Sequence, residues 1–334
     1  MRSFSCGRCG QLVFFENSLC LRCSAALGFV PSVLDLVVLD GPQASGARAC
    51  ANATLAECNW LVEPGDPGSL CRSCVLTRTR PADSDTASLA AFASAEAAKR
   101  RLVFQLLDLG LPIRDDLAFD LLSSQWAPVL TGHDDGVITI DLAESDDARR
   151  EQRRAELGEP YRTVLGHFRH EIGHYYWPIL IEQAGELERW RSLFGDERND
   201  YDSALQRHYE QGPPGDWSQW HVSAYAATHP WEDWAETFAH YLHIRDTLQT
   251  AAAFGLIVAG PQATRDESLS AAPRHADPRS FESLIGDWLP LTYALNAVNR
   301  SMGRGDLYPF TLAPTVIDKL TCVHERIQSV ASRR

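Results

Sequence analysis

Two histidines and a glutamate form the pattern in this sequence that could do chemistry. His170, Glu171 and His174 make an H-E-x-x-H motif inside the segment YRTVLGHFRHEIGHYYWP. On a helix, side chains four residues apart project from one face, so both imidazoles can bind one cation. Glu171 would lie beside that cation as a base for its bound water. The alternative is a polar helix with two ordinary histidines, so the rest of the sequence must supply a third ligand.

The third ligand is expected on a helix that begins near Thr228-His229-Pro230, because proline suits the first turn of a helix. Glu232 and Glu236 are four residues apart and share a face of that helix. One of them can complete a two-histidine, one-glutamate zinc site, and the other can hold a ligating histidine through its second ring nitrogen. Asp233 projects about 100° away from Glu232 and is the weaker candidate. A solvated acidic face is the alternative, which five neighbouring apolar side chains disfavour: Trp231, Trp234, Ala235, Phe238 and Ala239.

A hydrogen-bond donor for the developing oxyanion is the next requirement of such a site. Tyr225 lies seven residues before Glu232 and can supply a phenol, with His221 and His229 as alternatives for the same role. Ordinary packing or surface exposure remains open for all three. His167, one turn before His170, is interpreted as a surface histidine, with support of the site as the alternative.

Eight of the nine cysteines lie within the first 74 residues. Their pattern is typical of two structural zinc sites with four thiolates each and no open position for chemistry. The first set has a zinc-ribbon spacing. The first two cysteines of the second set are irregularly spaced, so an arrangement in which cysteines of both sets bind the same ion stays open. Disulfides or a redox C-x-x-C would also be compatible with cysteines at these positions. The two predicted sets are Cys6, Cys9, Cys20 and Cys23, and then Cys50, Cys58, Cys71 and Cys74.

Composition limits the classes of partner and the compartment. The 334 residues are 45% hydrophobic and 22% charged with a net charge of −13, which disfavours a large nucleic-acid surface. The segment MRSFSCGRCGQ lacks a signal-peptide apolar run, and no apolar run reaches the length that spans a bilayer. We therefore expect a cytoplasmic protein without membrane contact, in which thiolates bind metal rather than form disulfides. Oligomeric state is not predicted.

The elements that must position these residues follow from periodicity and from start and stop signals. A helix is expected from Asp85 or Thr86 to about Leu109, a strand over 136–142, and the motif helix from Glu159 or Pro160. The charged segment 143–158 is expected to be a solvated helix, residues 261–279 a loop, and 185–220 an irregular rim, lid or variable surface. Two further helices are expected over 281–302 and 314–332.

These segments together resemble the bacterial zinc-binding metallopeptidases with an N-terminal zinc ribbon. The resemblance runs from Cys6 to His324, and five sets of residues carry it: Cys6…Cys74, GVITIDLAESDDARREQRR, GEPYRTVLGHFRHEIGHYYW, AYAATHPWEDWAETFAHYLHI and DLYPF. It implies that Glu232 is the metal ligand and Glu236 its support. It also implies that the strand ahead of the motif lies at a sheet edge and pairs with substrate, although an ordinary sheet strand is equally consistent. The tyrosine before E-x-x-A-E is similar to that of anthrax lethal factor.

The predicted fold is α+β: a double zinc-ribbon domain over 1–80, then a zincin-like metallopeptidase domain over 81–334, mostly helical with a small sheet. The predicted activity is that of a zinc metalloendopeptidase-like hydrolase acting on a peptide or protein. One catalytic Zn²⁺ and two structural Zn²⁺ are expected, with Glu171 as general base and Tyr225 at the oxyanion. The alternatives are a zinc-ribbon adaptor for protein or nucleic acid with a relic zincin domain, and a peptidase recruited to DNA.

Overall fold

The computed structural model describes residues 2–125, 127–145, 163–258 and 280–332. These residues form two compact units. The first comprises the described residues up to 145 together with 163–168, and the second comprises 169–258 and 280–332. Strand β7 ends just before the domain boundary predicted at residues 80 and 81, and that boundary stays a prediction.

Short hairpins build the ribbon part of the first unit. Three antiparallel pairs, with strands of two to four residues, form its sheets. The six strands are β1 (Phe4–Ser5), β2 (Leu12–Val13), β3 (Leu27–Val30), β4 (Asp35–Val38), β5 (Arg48–Ala49) and β6 (Leu61–Val62).

The ribbon shares its apolar core with helix α1 (Thr86–Asp108). Phe29 is central to this core: its ring centroid lies 4.6 Å from that of Trp60, 5.1 Å from that of Phe15 and 5.7 Å from that of Phe104 on α1. The predicted helix over this stretch is confirmed, and the Asp85 side chain caps it by accepting a hydrogen bond from the Ser88 backbone N–H. The ribbon therefore has more apolar support than its own sequence provides.

A four-stranded sheet completes the first unit, in the order β7-β8-β10-β9. Its strands are β7 (Thr77–Thr79), β8 (Ala118–Leu122), β9 (Gly132–Asp134) and β10 (Val137–Asp141). The strand predicted over 136–142 is confirmed as β10, but its predicted place at the sheet edge is wrong. It pairs with β8 on one side and, through the Asp135-Gly136 turn, with β9 on the other. Both turn residues have positive φ, as a two-residue hairpin requires, so β9 occupies the edge.

Helices dominate the second unit, as the sequence predicts. The predicted helices after Pro230, after Phe281 and after Pro314 are confirmed, and the motif helix is described from Val164 onward. A π-helical turn over Pro178–Glu182 follows it. The helices are α2 (Val164–Trp177), which belongs to this unit from residue 169 onward, α3 (Leu187–Phe194), α4 (Tyr201–Gln211), α5 (Pro230–Ala253), α6 (Phe281–Ser301) and α7 (Pro314–Ala331).

The segment 185–220 is not irregular, which corrects the sequence-based expectation. It holds helices α3 and α4 followed by a short turn of 3₁₀ helix over Trp217–Gln219. Trp190 and Phe194, four residues apart on α3, are buried and stack with ring centroids 5.3 Å apart. The Asp200 side chain caps α4 by accepting a hydrogen bond from the Ser203 backbone N–H at 2.7 Å. Helix α3 is thus stabilised by a buried apolar stripe, and helix α4 by its N-terminal cap, although both helices are short and highly charged.

Helices α2 and α5 approach closely at Gly173, the glycine of the motif. A Cβ at position 173 would lie 2.9 Å from the Ala235 Cα and 3.2 Å from its carbonyl oxygen. The Trp234 indole N–H donates to the Gly173 carbonyl oxygen at 2.8 Å, and the rings of Tyr176 and Phe238 stack beside this contact. Glycine and alanine therefore set the distance between the helix that carries the histidines and the helix that carries the glutamates.

Some expectations lie outside the described residues: the motif-helix start at 159 or 160, most of the charged helix over 143–158, and all of the loop over 261–279. Among the described residues, no helix is long and apolar enough to cross a membrane. The predicted α+β class, mostly helical with small sheets, is confirmed.

Candidate metal centre

Helix α2 brings the two motif histidines onto one face. His170 and His174 are one turn apart, and their Nε2 atoms lie 3.2 Å from each other. Phe168, Ile172 and Tyr176 are fully buried on the helix, so the apolar stripe fixes its rotation. The two imidazoles consequently present ring nitrogens to the same point.

Helix α5 brings Glu232 to this point in its first turn. The helix begins there because His229 caps it, with Nδ1 accepting a hydrogen bond from the Trp231 N–H at 3.2 Å, and because Pro230 needs no N–H partner. Glu232 Oε2 lies 3.0 Å from His170 Nε2 and 3.5 Å from His174 Nε2. The three residues form one of the potential metal-ligand groups in the described residues.

The spacing of these three atoms fits a tetrahedral zinc ion. Ligand atoms about 2.0–2.1 Å from zinc are about 3.3 Å apart at the corners of a tetrahedron. Glu232 Oε2 is also buried and accepts no hydrogen bond from the described residues. A buried carboxylate oxygen without a donor is costly, and a cation bound between it and two imidazole lone pairs removes that cost.

Glu236 lies on the opposite side of His170, away from the convergence point. Its Oε1 is 2.7 Å from His170 Nδ1, and its Oε2 accepts a hydrogen bond from the Ser223 hydroxyl at 2.6 Å. Ser223 Oγ also accepts a hydrogen bond from the Ala226 N–H, which fixes the loop before α5. A proton on Nδ1 then leaves the Nε2 lone pair free, as a metal-binding histidine requires.

The charges in the site shift the pKa values of its acids. Burial alone would raise the pKa of Glu236, but the hydrogen bond and the positive charge of His170 outweigh burial and lower its pKa to about 2. Burial would also raise the pKa of Glu232, but His170 and His174 outweigh burial and lower this pKa well below its ordinary value. Both glutamates are therefore carboxylates in neutral solution, and each can serve as an anionic partner.

Two phenols lie close to the candidate ligands. The Tyr201 hydroxyl donates to Glu232 Oε1 at 2.7 Å, and the Tyr225 ring centroid lies 5.9 Å from that of His170. Burial chiefly, and then the charges of Glu232 and Glu171, raise the pKa of both phenols, so they stay protonated donors. The general-base candidate Glu171 is buried in the same region.

The remaining candidate side chains contact different groups. His229 Nε2 lies 3.1 Å from the Asn199 carbonyl oxygen, so both of its nitrogens are engaged at the start of α5. His221 Nδ1 lies 3.1 Å from Asp233 Oδ2, and Lys319 donates a hydrogen bond to the same oxygen, so Asp233 is engaged with these groups and not with the histidines of the motif. His167 pairs with Glu144 rather than with either glutamate of α5.

The cysteines converge as the two predicted sets, without cross-bracing. The Sγ atoms of each set lie within 4.8 Å of one another. Within the sets, Cys9–Cys20 and Cys58–Cys74 are both 3.6 Å apart, whereas a disulfide needs about 2.05 Å. Thiolates bound to a tetrahedral zinc at about 2.3 Å are about 3.8 Å apart. Zinc ligation therefore fits both sets, and disulfides do not.

Two residues of the site were missed from the sequence, Tyr201 and Ser223. Neither stands at a helical spacing from the glutamate that it contacts: Tyr201 precedes Glu232 by 31 residues and Ser223 precedes Glu236 by 13. Their positions depend on how α4 and the loop before α5 fold back, which no local pattern in the sequence encodes.

Comparison with known protein families yields two matches. Residues 88–326 match the family described as "Putative zinc-binding metallo-peptidase". Residues 3–85 match a zinc-ribbon domain family. The resemblance inferred from the sequence is confirmed, and the cysteine clusters agree with the zinc-ribbon match.

Similar proteins occur in mycobacteria. Uncharacterized proteins of Mycobacterium bovis and of two strains of Mycobacterium tuberculosis are 53% identical to this chain over 339 residues. The alignment covers 99% of this chain and 96% of each relative. No solved structure matches the chain significantly.

Proposed function

This chain belongs to the zinc-binding metallo-peptidase family, and we propose that it is a zinc-dependent peptidase that holds its metal with His170, His174 and Glu232. The observation that carries the proposal is the buried Glu232 Oε2, which has no hydrogen-bond donor among the described residues and faces the Nε2 atoms of both histidines. Zn²⁺ bound there supplies a Lewis acid that activates water and polarises a peptide carbonyl.

The protein residues handle protons and orientation. Glu171, next to His170 on α2, takes the proton of the attacking water and returns it to the leaving amine. Glu236 keeps the proton of His170 on Nδ1 and fixes the ring. The Tyr225 phenol, a protonated donor beside His170, stabilises negative charge on the former carbonyl oxygen.

The cysteine sets have a structural role in this proposal. Four thiolates close the coordination sphere of an ion, so neither set offers a position for substrate. We propose three zinc ions per chain, two structural and one catalytic. Unpaired thiol positions that fit zinc and not disulfides support a reducing compartment such as the cytoplasm.

A Glu171→Gln variant tests the proposal. We expect it to retain three zinc ions per chain and to lose peptide hydrolysis by about 10²- to 10⁴-fold, because the metal ligands stay and the base is removed. Glu188→Gln, on the exposed face of α3, is the matched control and is expected to hydrolyse peptides like the wild type. Metal analysis and hydrolysis of a fluorogenic peptide library give both readouts. Full activity in Glu171→Gln would exclude this mechanism.

A second candidate is a zinc-ribbon adaptor with an inactive second unit. Exposed apolar side chains on the ribbon favour it, chiefly Leu21, which is 89% exposed, and Phe14, which is 55% exposed. Such side chains occur at protein-binding surfaces. Two tightly bound zinc ions, no third ion and no hydrolysis would favour this candidate over the peptidase.

A further inference from the structure

The first residue of α4 contacts the glutamate ligand directly. Tyr201 follows the capping residue Asp200, and its hydroxyl donates a hydrogen bond to Glu232 Oε1 at 2.7 Å. The Glu232 side chain is only 3% exposed, so water competes little for this oxygen. A hydrogen bond to a buried carboxylate is stronger than one between neutral groups.

This contact divides the two oxygens of Glu232 between two tasks. Oε1 is held by Tyr201, whereas Oε2 faces His170 Nε2 and His174 Nε2. We propose that Tyr201 is a positioning residue of the metal centre, which fixes the Glu232 carboxylate so that Oε2 alone is presented to the metal. The inference rests on the proposed function, because it assigns Tyr201 a role towards the metal held there.

The groups around Tyr201 hold its phenol in place beside Glu232. Its ring lies 5.2 Å from the ring of His229 and 6.3 Å from that of Trp231, centroid to centroid. His229 Nε2 is 3.1 Å from the carbonyl oxygen of Asn199, two residues before Tyr201. The start of α4 thus holds the start of α5 through both its backbone and its phenol. Through Tyr201 and Asn199, the 185–220 segment therefore contributes to the metal centre.

The same principle operates at His170. Glu236 binds the ring nitrogen that does not face the convergence point, as Tyr201 binds the carboxylate oxygen that does not face it. Removing such a partner typically weakens metal binding 10- to 100-fold, because the ligand becomes free to rotate. We expect removal of the Tyr201 hydroxyl to weaken metal binding by a similar factor.

The test compares zinc affinity in Tyr201→Phe, wild type and Tyr209→Phe. Tyr209 lies on the same helix and is 63% exposed, so its variant is the matched control. The full-length proteins compete with a zinc chelator, and Glu232→Gln supplies the baseline for the thiolate sites. We expect zinc at the third site to bind 10- to 100-fold more weakly in Tyr201→Phe and within about 2-fold of wild type in Tyr209→Phe. Adding Tyr201→Phe to Glu232→Gln should cause no further change in zinc affinity.

The outcomes separate the inference from the proposed function. If wild type and Glu232→Gln bind the same amount of zinc with the same affinities, both the proposed metal centre and the inference fail. If wild type binds the third ion and Tyr201→Phe binds it equally well, only the inference is overturned. Circular dichroism of the proteins from which only the third ion has been removed checks for misfolding. A loss of helix in Tyr201→Phe that matches its loss of affinity would make the role merely structural and would also overturn the inference.

Discussion

Each of two candidate ligands has one atom facing the convergence point and a second atom held by a named partner. His170 offers Nε2 while Nδ1 contacts Glu236, and Glu232 offers Oε2 while Oε1 contacts Tyr201. Helical spacing alone left the two glutamates interchangeable, because both stand on one face of α5, and only the family resemblance favoured Glu232. Distances distinguish them: only Glu232 lies near the Nε2 atoms of both histidines.

Replacing each glutamate by alanine tests this assignment. Glu232→Ala removes a ligand, and we expect it to abolish zinc binding at the third site. Glu236→Ala removes the partner of His170 Nδ1, and we expect zinc to bind 10- to 100-fold more weakly. Chelator competition measures both, with Glu210→Ala on the exposed face of α4 as the control. The reverse order of effects would make Glu236 the ligand.

Tyr225 is expected to affect the rate of peptide hydrolysis and not the binding of zinc. Tyr225→Phe removes the phenol that faces the reacting carbonyl in our proposal, and we expect kcat/KM to fall about 10²- to 10³-fold. Zinc content should not change, because Tyr225 is no ligand. The control is Tyr293→Phe, whose side chain is 66% exposed on α6. Unchanged kinetics in Tyr225→Phe would transfer the oxyanion role to another donor.

At the scale of elements, the contact of α2 with α5 sets the ligand geometry. Gly173→Ala would place a Cβ 2.9 Å from the Ala235 Cα, where backbone rather than a flexible side chain must give way. We expect the free energy of unfolding to fall by about 1–3 kcal/mol and zinc to bind more weakly, since α5 carries Glu232. Urea unfolding and chelator competition measure these two effects.

Gly286→Ala is the matched control for the helix packing. Gly286 lies inside α6, and a Cβ there would meet nothing within 4 Å. Alanine is favoured over glycine in a helix, so we expect this variant to be about 0.5–1 kcal/mol more stable than wild type. Equal stabilisation of Gly173→Ala would mean that α2 and α5 are not packed at this distance.

Elements with local signals were predictable from the sequence. Helix α1 has the Asp85 cap, and the α5 and α7 helices start at Pro230 and Pro314, so the starts of these three helices agree with expectation to within a residue or two. The cysteine sets were predictable as well, because a C-x-x-C fixes two ligands locally.

Features that depend on non-local contacts were not predictable. The edge position expected for β10 failed because the pairing partner β9 is only three residues long and carries no apolar alternation. Helices α3 and α4 were missed because they are short, 8 and 11 residues, and bury few side chains: Trp190 and Phe194 on α3 and Ala204 on α4. Tyr201 and Ser223 gave no signal, since their contacts arise from chain folding rather than from spacing.

At the scale of the whole molecule, the three sets of candidate metal ligands differ in how deeply their side chains are buried. All four thiols of the second cysteine set are buried in the same apolar core as Trp60 and Phe104. His174, in contrast, is partly exposed in the metal centre of the second unit. A chelator can therefore reach the metal centre more easily than the second cysteine set, and metal loss should be stepwise.

Stepwise chelation tests this difference. We expect dilute chelator to remove one zinc ion with loss of hydrolysis and little change in circular dichroism. Denaturant or acid should be needed for the ion of the second cysteine set, whose loss unfolds the ribbon because metal binding is coupled to its folding. Cys322→Ser, which changes a cysteine outside both sets, should leave the zinc content unchanged. Unfolding of the ribbon together with loss of the first ion would contradict the prediction.

A buried histidine on α5, His240, makes the stability of the molecule depend on pH. His240 is 6% exposed and 2.7 Å from the Tyr308 hydroxyl, and burial chiefly lowers its pKa to about 4. In the unfolded chain a histidine has a pKa of about 6.5. Between these values the unfolded state binds the proton and the folded state does not, so stability is lost as the pH falls from about 6.5 to about 4.

The contribution of His240 to this loss can be isolated with His240→Gln. Within the window, one such histidine contributes a slope on the order of 1 kcal/mol per pH unit, because a shift of one pKa unit corresponds to about 1.4 kcal/mol. We expect urea unfolding between pH 7 and pH 4.5 to show a shallower slope for His240→Gln than for wild type, whatever its stability at pH 7. His208→Gln, which changes a partly exposed histidine on α4, should keep the wild-type slope. Equal slopes for His240→Gln and wild type would mean that His240 accepts a proton in the folded protein at its ordinary pKa, which burial against Tyr308 opposes.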